Sequence, residues 1–262
     1  MMILKIGGSA LTVKDADIPT VDEDNLERIC DEISGYSGEL VVVHGAGSFG
    51  HIYAREYELG EKITDSADYN RKVEGLCRTQ ASMQLLNYTF VERLCSKGVP
   101  AVALKPSSFM MTEDARIKSC DMTVVKRYLE DGFVPVLYGD AVLDYNMDKR
   151  FAILSGDQII TYLAVALGAD RVILSSDVDG IYTDNPKLNP DAELISVVTR
   201  NSELKVTSDD SQADVTGGMM GKINELLELA DKGVESLIIN AEKEGNIRLA
   251  VSNRQVKGTI IK

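Results

Sequence analysis

Short, mostly apolar runs alternate along this chain with stretches in which apolar residues return every three or four positions. The runs Met2–Ile6, Leu40–His44, Val99–Leu104, Val134–Tyr138, Arg171–Ser175 and Ser236–Asn240 read as strands. Five or six residues with so little polar interruption suit strands covered on both faces. Between them the periodicity predicts helices over Asp22–Tyr36, Ser66–Lys97, Asp121–Glu130, Asp157–Leu167 and Gly218–Asp231. In the longest of these, Tyr69, Val73, Leu76, Met83, Phe90 and Leu94 recur at three- and four-residue steps or multiples of them, which makes one apolar face. Such alternation predicts an α/β fold, a three-layer αβα sandwich with a mainly parallel central sheet. Ligands of such sheets bind at the carboxyl ends of the strands.

Two stretches break the alternation. Ser107–Leu154 holds several short strand-like pieces and is expected to form a β-hairpin excursion beside the sheet. Asp184–Ser211 is rich in Asp, Asn, Pro and Ser and reads as a surface excursion. With no internal repeat, low-complexity tail or separating linker, residues 1–262 are expected to form a single domain with two lobes, about 1–170 and about 171–262.

Composition narrows the function more than the fold. The chain has 262 residues, 44% apolar and 26% charged, as in an ordinary soluble globular protein. No stretch approaches the ~18 continuous apolar residues of a membrane span. The opening MMILKIGGS is too short and glycine-rich for a signal-peptide core and reads as a first strand, so a cytoplasmic protein is expected. A net charge of -13 argues against nucleic acid as the main partner, because phosphate backbones require a basic face. It leaves room for a small phosphorylated ligand held by a few cations in one cleft. Cys30, Cys77, Cys95 and Cys120 are scattered, with no C-x-x-C pair, and read as packing thiols rather than zinc ligands or disulfides.

The stretch HGAGSFGH, residues 44–51, holds both histidines and a G-x-G-x-x-G run, Gly45, Gly47 and Gly50. As a dinucleotide fingerprint it needs a helix, a second strand and an acidic residue about 20 positions on. Asp65 and Asp68 stand near that distance, but neither ends an apolar run. Three further glycine-bearing turns lie at predicted strand-to-helix boundaries: KIGGSAL at 5–11, SGD at 155–157 and TGGMMGK at 216–222. Each alone is compatible with a tight turn, as glycine also lets backbone N–H groups approach phosphate oxygens. An acidic turn, SSDVDGIYTDNP at 175–186, follows the strand RVIL and suits a base and ribose. His44 ends a strand and is expected to pack.

In this order, KIGGS, HGAGSFGH, PVLYGD, SGDQIITYLA, SDVDGIYTDNP and TGGMMGK resemble the amino acid kinase superfamily over essentially the whole chain. The longer GAGSFGH with a closing histidine is similar to the isopentenyl phosphate kinase family within it, with the fosfomycin-resistance kinases as near relatives. The resemblance implies ATP-dependent phosphorylation of isopentenyl phosphate to isopentenyl diphosphate, with ATP and Mg²⁺ carried on it, and a homodimer. It implies Lys5, Lys14, His51 and Asp157 as the catalytic set, with Asp157 orienting the lysines. Ala46, Gly47, Ser48, His51 and Gly156 would receive the substrate phosphate. Lys5, Gly7, Gly8, Ser9, Gly47, Asp177, Tyr182, Lys187, Gly218 and Lys222 would bind ATP, in part through its phosphates.

Tyr69, Val73, Leu76 and Met83 are the candidates for a pocket around the substrate's apolar tail. No carboxylate cluster is spaced as a dedicated metal site, so Mg²⁺ is expected to arrive with the nucleotide. Other acceptors stay open: UMP, an acylated amino acid, carbamate or a phosphonate. So does a non-catalytic nucleotide or amino-acid sensor, against which Lys5, Lys14, Asp157 and Lys222 argue.

Overall fold

Strand β1 (Met2–Ile6) and strand β2 (Leu40–His44) pair in parallel from Met2 opposite Leu40 to Ile6 opposite His44. The computed structural model of the protein describes residues 1–13, 16–186, 188–202 and 218–262. In chain order there follow β3 (Ala101–Ala103), β4 (Met110–Glu113), β5 (Arg116–Cys120), β6 (Val134–Tyr138), β7 (Asp140–Leu143) and β8 (Phe151–Leu154). The second half adds β9 (Arg171–Ser176), β10 (Ile181–Tyr182), β11 (Leu194–Ile195), β12 (Val197–Val198), β13 (Glu235–Asn240) and β14 (Gly258–Ile261). Eight of these form one sheet in the order β12-β14-β13-β9-β1-β2-β6-β3. Among the described residues only its β13–β14 pair is antiparallel.

The helices are α1 (Glu23–Ser34), α2 (Gly47–Glu56), α3 (Ser66–Ser96), α4 (Thr123–Glu130), α5 (Gly156–Leu167), α6 (Gly218–Ala230) and α7 (Asn246–Val251). Strand parity sorts them into two layers, since successive side chains point to opposite faces. Met2, Leu4, Ile6, Leu40 and Val42 pack with Leu26 and Ile29 of α1, Leu86 and Phe90 of α3, and Ile247 of α7. Ile3, Val41 and Val43 pack with Ile159 and Leu163 of α5, Ile223 and Leu226 of α6, and Leu129 of α4. The expected three-layer αβα sandwich is what forms.

Where structure and sequence pattern part, a specific contact decides. The expected glycine loop 44–51 is mostly helix: only Gly45 and Ala46 separate β2 from α2. The single expected hairpin beside the sheet is two, β4–β5 and β7–β8. The turn of the first is Asp114–Ala115, with φ of 50° and 62°, the pair of positive values that a two-residue hairpin turn requires. Asp144 holds it, accepting from the N–H of both residues at 3.1 and 2.9 Å and from the Thr112 hydroxyl at 2.7 Å. The expected surface excursion 184–211 is not all surface in its described part: β12 joins the sheet edge and Val198 is fully buried.

Helix α7 is six residues long and borrows its cap. Glu32 of α1, wholly buried, accepts from the N–H groups of Gly245, Ile247 and Arg248 at 2.9, 2.9 and 3.1 Å. Arg28 holds the same carboxylate at 2.8 Å, so no charge is left buried alone. All four cysteines are free thiols, and burial pushes that of Cys30 up to about 12.

Candidate active site

Three of the glycine-bearing turns, at 5–11, 44–51 and 155–157, gather at the carboxyl edge of the sheet, while residues 216–217 of the fourth lie outside the described residues. After β1 the chain makes a 3-10 turn at Gly8–Ala10, and after β2 it enters α2 at Gly47. These two turns touch backbone to backbone. A Cβ on Gly8 would lie 2.2 Å from the Gly47 nitrogen, and one on Gly45 would lie 2.6 Å from the Gly8 nitrogen. Gly47 has φ +51°, in the left-handed region where side chains are strained, and a Cβ there would meet Thr12 Oγ1 at 2.2 Å. The two turns bring helix-start N–H groups, which lack intrahelical acceptors, close together, and one of these, the Ser48 N–H, is taken by the Thr12 hydroxyl. That geometry accepts phosphate oxygens.

Thr12 ties the two turns. Its hydroxyl donates to the Gly8 carbonyl at 3.0 Å and accepts the Ser48 N–H at 3.1 Å. The Ser48 hydroxyl in turn accepts from the Thr20 N–H at 3.3 Å. Ser48 is thus engaged in holding Thr12 and Thr20 against α2, a role that nothing in ALTVK or IPT signals locally. Gly50, the third glycine of the run, lets α2 approach α3: a Cβ there would lie 3.1 Å from the Met83 sulfur. The dinucleotide reading ends here, because α2 is followed by the 31-residue α3 instead of a strand. Asp65 caps α3, accepting from Ala67 and Asp68 N–H at 2.8 and 2.9 Å.

Behind the touching turns lies a buried ion pair. Strand parity puts Lys5 on the α5 face of β1, where its Nζ meets Asp157 Oδ1 at 2.5 Å. Lys5 is 5% and Asp157 7% exposed. Asp157 sits in the first turn of α5, whose cap Ser155 accepts from Gln158 N–H at 3.2 Å. Gly156 allows the approach, since a Cβ would stand 3.2 Å from Lys5 Cε and 3.4 Å from the His44 carbonyl. Removing one partner of such a pair leaves a buried charge and costs about 3–5 kcal/mol.

The two histidines differ as expected of their positions. His44 is fully buried, stacked on Tyr138 at 5.4 Å and edge-on to Phe90 at 5.7 Å. Burial pushes its pKa down to about 4, against the hydrogen bonds to Gly45 and Asn87. The ring is therefore neutral at pH 7. Nδ1 lies 3.0 Å from the Gly45 carbonyl, to which the neutral ring donates, and Nε2 lies 3.2 Å from Asn87 Oδ1. His51 is half-buried, one helical turn beyond Gly47 on α2.

On the other side of β1, β9 ends at Ser176 and the chain turns through Asp177 to Tyr182. Asp177 is half-buried and accepts from the Ser176 hydroxyl at 3.3 Å. The Tyr182 hydroxyl donates to Asp179 at 3.1 Å. Gly218 is the first residue of α6, and Lys222 is half-buried in its second turn. Lys14 and Lys187 lie outside the described residues.

The four tail-pocket candidates do not all come together. Leu76 joins Ala54, Tyr57, Leu59, Ala141 and Ile153 in a small cluster between α2, α3 and the β7–β8 hairpin. Tyr69 lies on the same side, stacked on Phe151 at 6.0 Å with Arg150 over its ring, and Val73 is half-buried between them in sequence. Met83 is fully buried in the main core between α3 and the sheet, against Gly50.

Residues 1–240 match the sequence model of the Amino acid kinase family. The chain belongs to that family. It is 47% identical to the isopentenyl phosphate kinase of Methanothermobacter thermautotrophicus, over 100% of this chain and 98% of that protein. It is 35% identical to the isopentenyl phosphate kinase of Methanocaldococcus jannaschii, again over 100% of this chain and 98% of the relative. Among solved structures, an isopentenyl phosphate kinase known from X-ray structures matches with a TM-score of 0.91 at 45% identity, covering 100% of both chains. The polar residues here that the sequence pattern least discloses are Thr12, Asn87 and Asp179, whose partners include residues far away in sequence.

Proposed function

We propose that the protein transfers the terminal phosphoryl group of ATP to isopentenyl phosphate, giving isopentenyl diphosphate and ADP. The observation that carries this is the contact of the two glycine turns over the Lys5–Asp157 pair, which makes one anion-accepting crevice out of two candidate phosphate cradles. The choice of acceptor rests on the full-length likeness to isopentenyl phosphate kinases, which favours it over UMP, an acylated amino acid, carbamate or a phosphonate. In this reading Gly7, Gly8, Ser9, Asp177, Tyr182, Lys187, Gly218 and Lys222 hold ATP, with Lys5 and Gly47 at the shared border. Ala46, Gly47, Ser48, His51 and Gly156 surround the acceptor phosphate. The lobe of about 1–170 takes the acceptor and that of about 171–262 most of the nucleotide.

The acceptor oxygen belongs to a phosphate monoester, whose second pKa is about 6, so it is already deprotonated at neutral pH and needs no general base. It attacks the γ-phosphorus in line, and the bond to the ADP oxygen breaks as the new one forms. The protein's task is to hold two polyanions together and to stabilise the charge spread over the transferring group. Lys5 and Lys14 supply positive charge, Asp157 orients Lys5, and His51 donates to the acceptor phosphate. Mg²⁺, arriving with ATP, would draw charge off the phosphates; among the described residues no three His, Cys, Asp or Glu side chains gather as a metal site. The apolar tail lies against Leu76, Val73 and Tyr69.

The protein is placed in the cytoplasm and is read as a homodimer. Among the described residues no helix is long and apolar enough to cross a membrane.

The test is an ADP-release assay with isopentenyl phosphate, UMP, acetylglutamate and carbamate side by side, with and without Mg²⁺, on the wild type and His51→Ala. Turnover is expected with isopentenyl phosphate and Mg²⁺ alone. His51→Ala should lose about 10²–10³-fold in kcat/KM, the usual cost of one charge-stabilising donor, with an unchanged melting temperature. Turnover confined to another acceptor would overturn the assignment and leave the fold intact. Near-normal kinetics in the variant would remove His51 from the mechanism.

A further inference from the structure

Beneath the turn that carries Asp177 and Tyr182 lies a charged cluster with no part in the phosphate chemistry. Asp179 is 5% exposed, and four donors converge on its carboxylate. Oδ1 accepts from Lys243 Nζ at 2.6 Å and from Asn240 Nδ2 at 3.3 Å. Oδ2 accepts from Lys257 Nζ at 2.8 Å and from the Tyr182 hydroxyl at 3.1 Å. Asn240 ends β13, Lys243 follows it, and Lys257 stands just before β14. One buried carboxylate thus ties two other chain segments, the end of β13 and the approach to β14, to the tyrosine of its own turn.

The neighbouring backbone is fixed in the same direction. A Cβ on Gly180 would stand 2.3 Å from Thr259 Oγ1, and the Ile181 N–H donates to that hydroxyl at 2.8 Å. The asymmetry of exposure within the cluster is informative. The lysine side chains are 52% and 60% exposed and could be hydrated without a partner, whereas the Asp179 side chain is 6% exposed and could not. Burial alone would raise the Asp179 carboxyl, but the bonds from Lys243, Lys257 and Tyr182 outweigh it and hold it well below the usual carboxylate range. It is therefore a constant acceptor for the Tyr182 phenol at any working pH.

We infer that Asp179 is a positioning residue for the nucleotide, bracing Tyr182 and the 176–182 turn against the ends of β13 and β14. A phenol ring has only two torsions, so fixing its hydroxyl fixes the face it offers to a base or ribose. The inference rests on the reading of this turn as the nucleotide carrier. Two ammonium groups on one carboxylate also leave a net positive charge beside the turn, the sign that suits a polyanionic nucleotide.

The experiment compares steady-state kinetics of Asp179→Asn, Tyr182→Phe, the double variant and Asp177→Asn, each assayed well below its melting temperature. Asp179→Asn is expected to raise KM for ATP about tenfold, the loss of one charge-assisted hydrogen bond, with kcat and the KM for isopentenyl phosphate within about twofold. Tyr182→Phe should raise KM for ATP about threefold, and the double variant should be no worse than Asp179→Asn, because the carboxylate acts through the phenol. A merely structural staple would lower the melting temperature and leave the KM for ATP of the folded protein alone, and that result overturns the inference. So does a double variant whose effects add in full. Should Asp179→Asn fail to fold, Tyr182→Phe decides by itself: an unchanged KM for ATP overturns the inference. Asp177→Asn separates the two levels. If it raises KM for ATP while Asp179→Asn does not, only the positioning role falls; if neither does, the nucleotide reading of the turn falls with it.

Discussion

The turn after β2 and the turn after β9 leave the same sheet at the same edge, with β1 between them, yet different forces hold them. The turn after β2, proposed for the acceptor, is fixed by contact and by neutral groups: Gly45 against Gly8, Gly50 against Met83, and an uncharged His44 donating to the Gly45 carbonyl beneath. The turn after β9, proposed for the nucleotide, is fixed by charge, through Asp179 and its two lysines. In the proposed reading the carboxylate behind the phosphate cradle, Asp157, is neutralised by Lys5. A base and ribose carry no charge, so a turn proposed to lie beneath them tolerates a buried anion, which here carries two lysines.

The largest predicted effect tests the contact side. Gly8→Ala would drive a Cβ to 2.2 Å from the Gly47 nitrogen and 2.8 Å from its Cα, both backbone atoms that cannot swing aside. The two cradles must move apart, and a displacement on the order of 1 Å costs about 10²-fold in rate. Turnover of Gly8→Ala should fall by at least about that factor in kcat/KM, with both substrates affected because both cradles shift. A loss confined to ATP would mean that the two turns do not act as one unit.

A middle-sized effect separates the two supports by pH. His44 titrates near 6.5 when unfolded and is pushed down to about 4 by burial when folded. The unfolded chain therefore binds more protons between those values. The stability that neutral His44 contributes is complete above pH 6.5 and is lost as pH falls towards 4, on the order of 3 kcal/mol in all. Asp179 behaves differently: its depressed folded pKa contributes stability that is complete above the ordinary carboxylate range and is lost only below it. Urea unfolding of the wild type at pH 7 and pH 4.5 should show this acid loss, and His44→Gln should flatten it, whereas Asp179→Asn should not. Equal slopes in wild type and His44→Gln would show that the ring is not held neutral.

What the sequence pattern discloses and what it conceals divide along similar lines. β1, β2 and β6 are visible because a strand buried on both faces is a continuous apolar run, and the break at Lys5 points straight at the α5 face and Asp157. The order of the glycine turns is equally visible, being local. Helix α2 is hidden because GSFG places two glycines in its first turn, where intrinsic preference opposes a helix and packing on α3 decides. α7 is hidden because its cap is Glu32, more than 200 residues earlier. The Asp114–Ala115 turn lacks the usual Asn-Gly signal because Asp144 substitutes for it from the next hairpin. The Asp179 cluster is hidden for the same reason, with partners 61 to 78 residues away across separate strands. Long-range polar bonds leave no spacing to read.

The smallest predicted effect asks whether the charge side owes its strength to the carboxylate or to the number of cations on it. Lys257→Met removes one ammonium while keeping the stem, and Asp179 still accepts from Lys243, Asn240 and Tyr182. Because the Lys257 side chain is 60% exposed, solvent already screens much of its attraction, and the melting temperature should move by no more than about 2 °C. KM for ATP should rise about twofold, since the phenol keeps its acceptor and only the local positive field weakens. A rise of tenfold or more at unchanged stability would place Lys257 itself against the nucleotide. The turn would then be braced by its carboxylate and charged by its lysines, two functions of one cluster that Asp179→Asn alone could not tell apart.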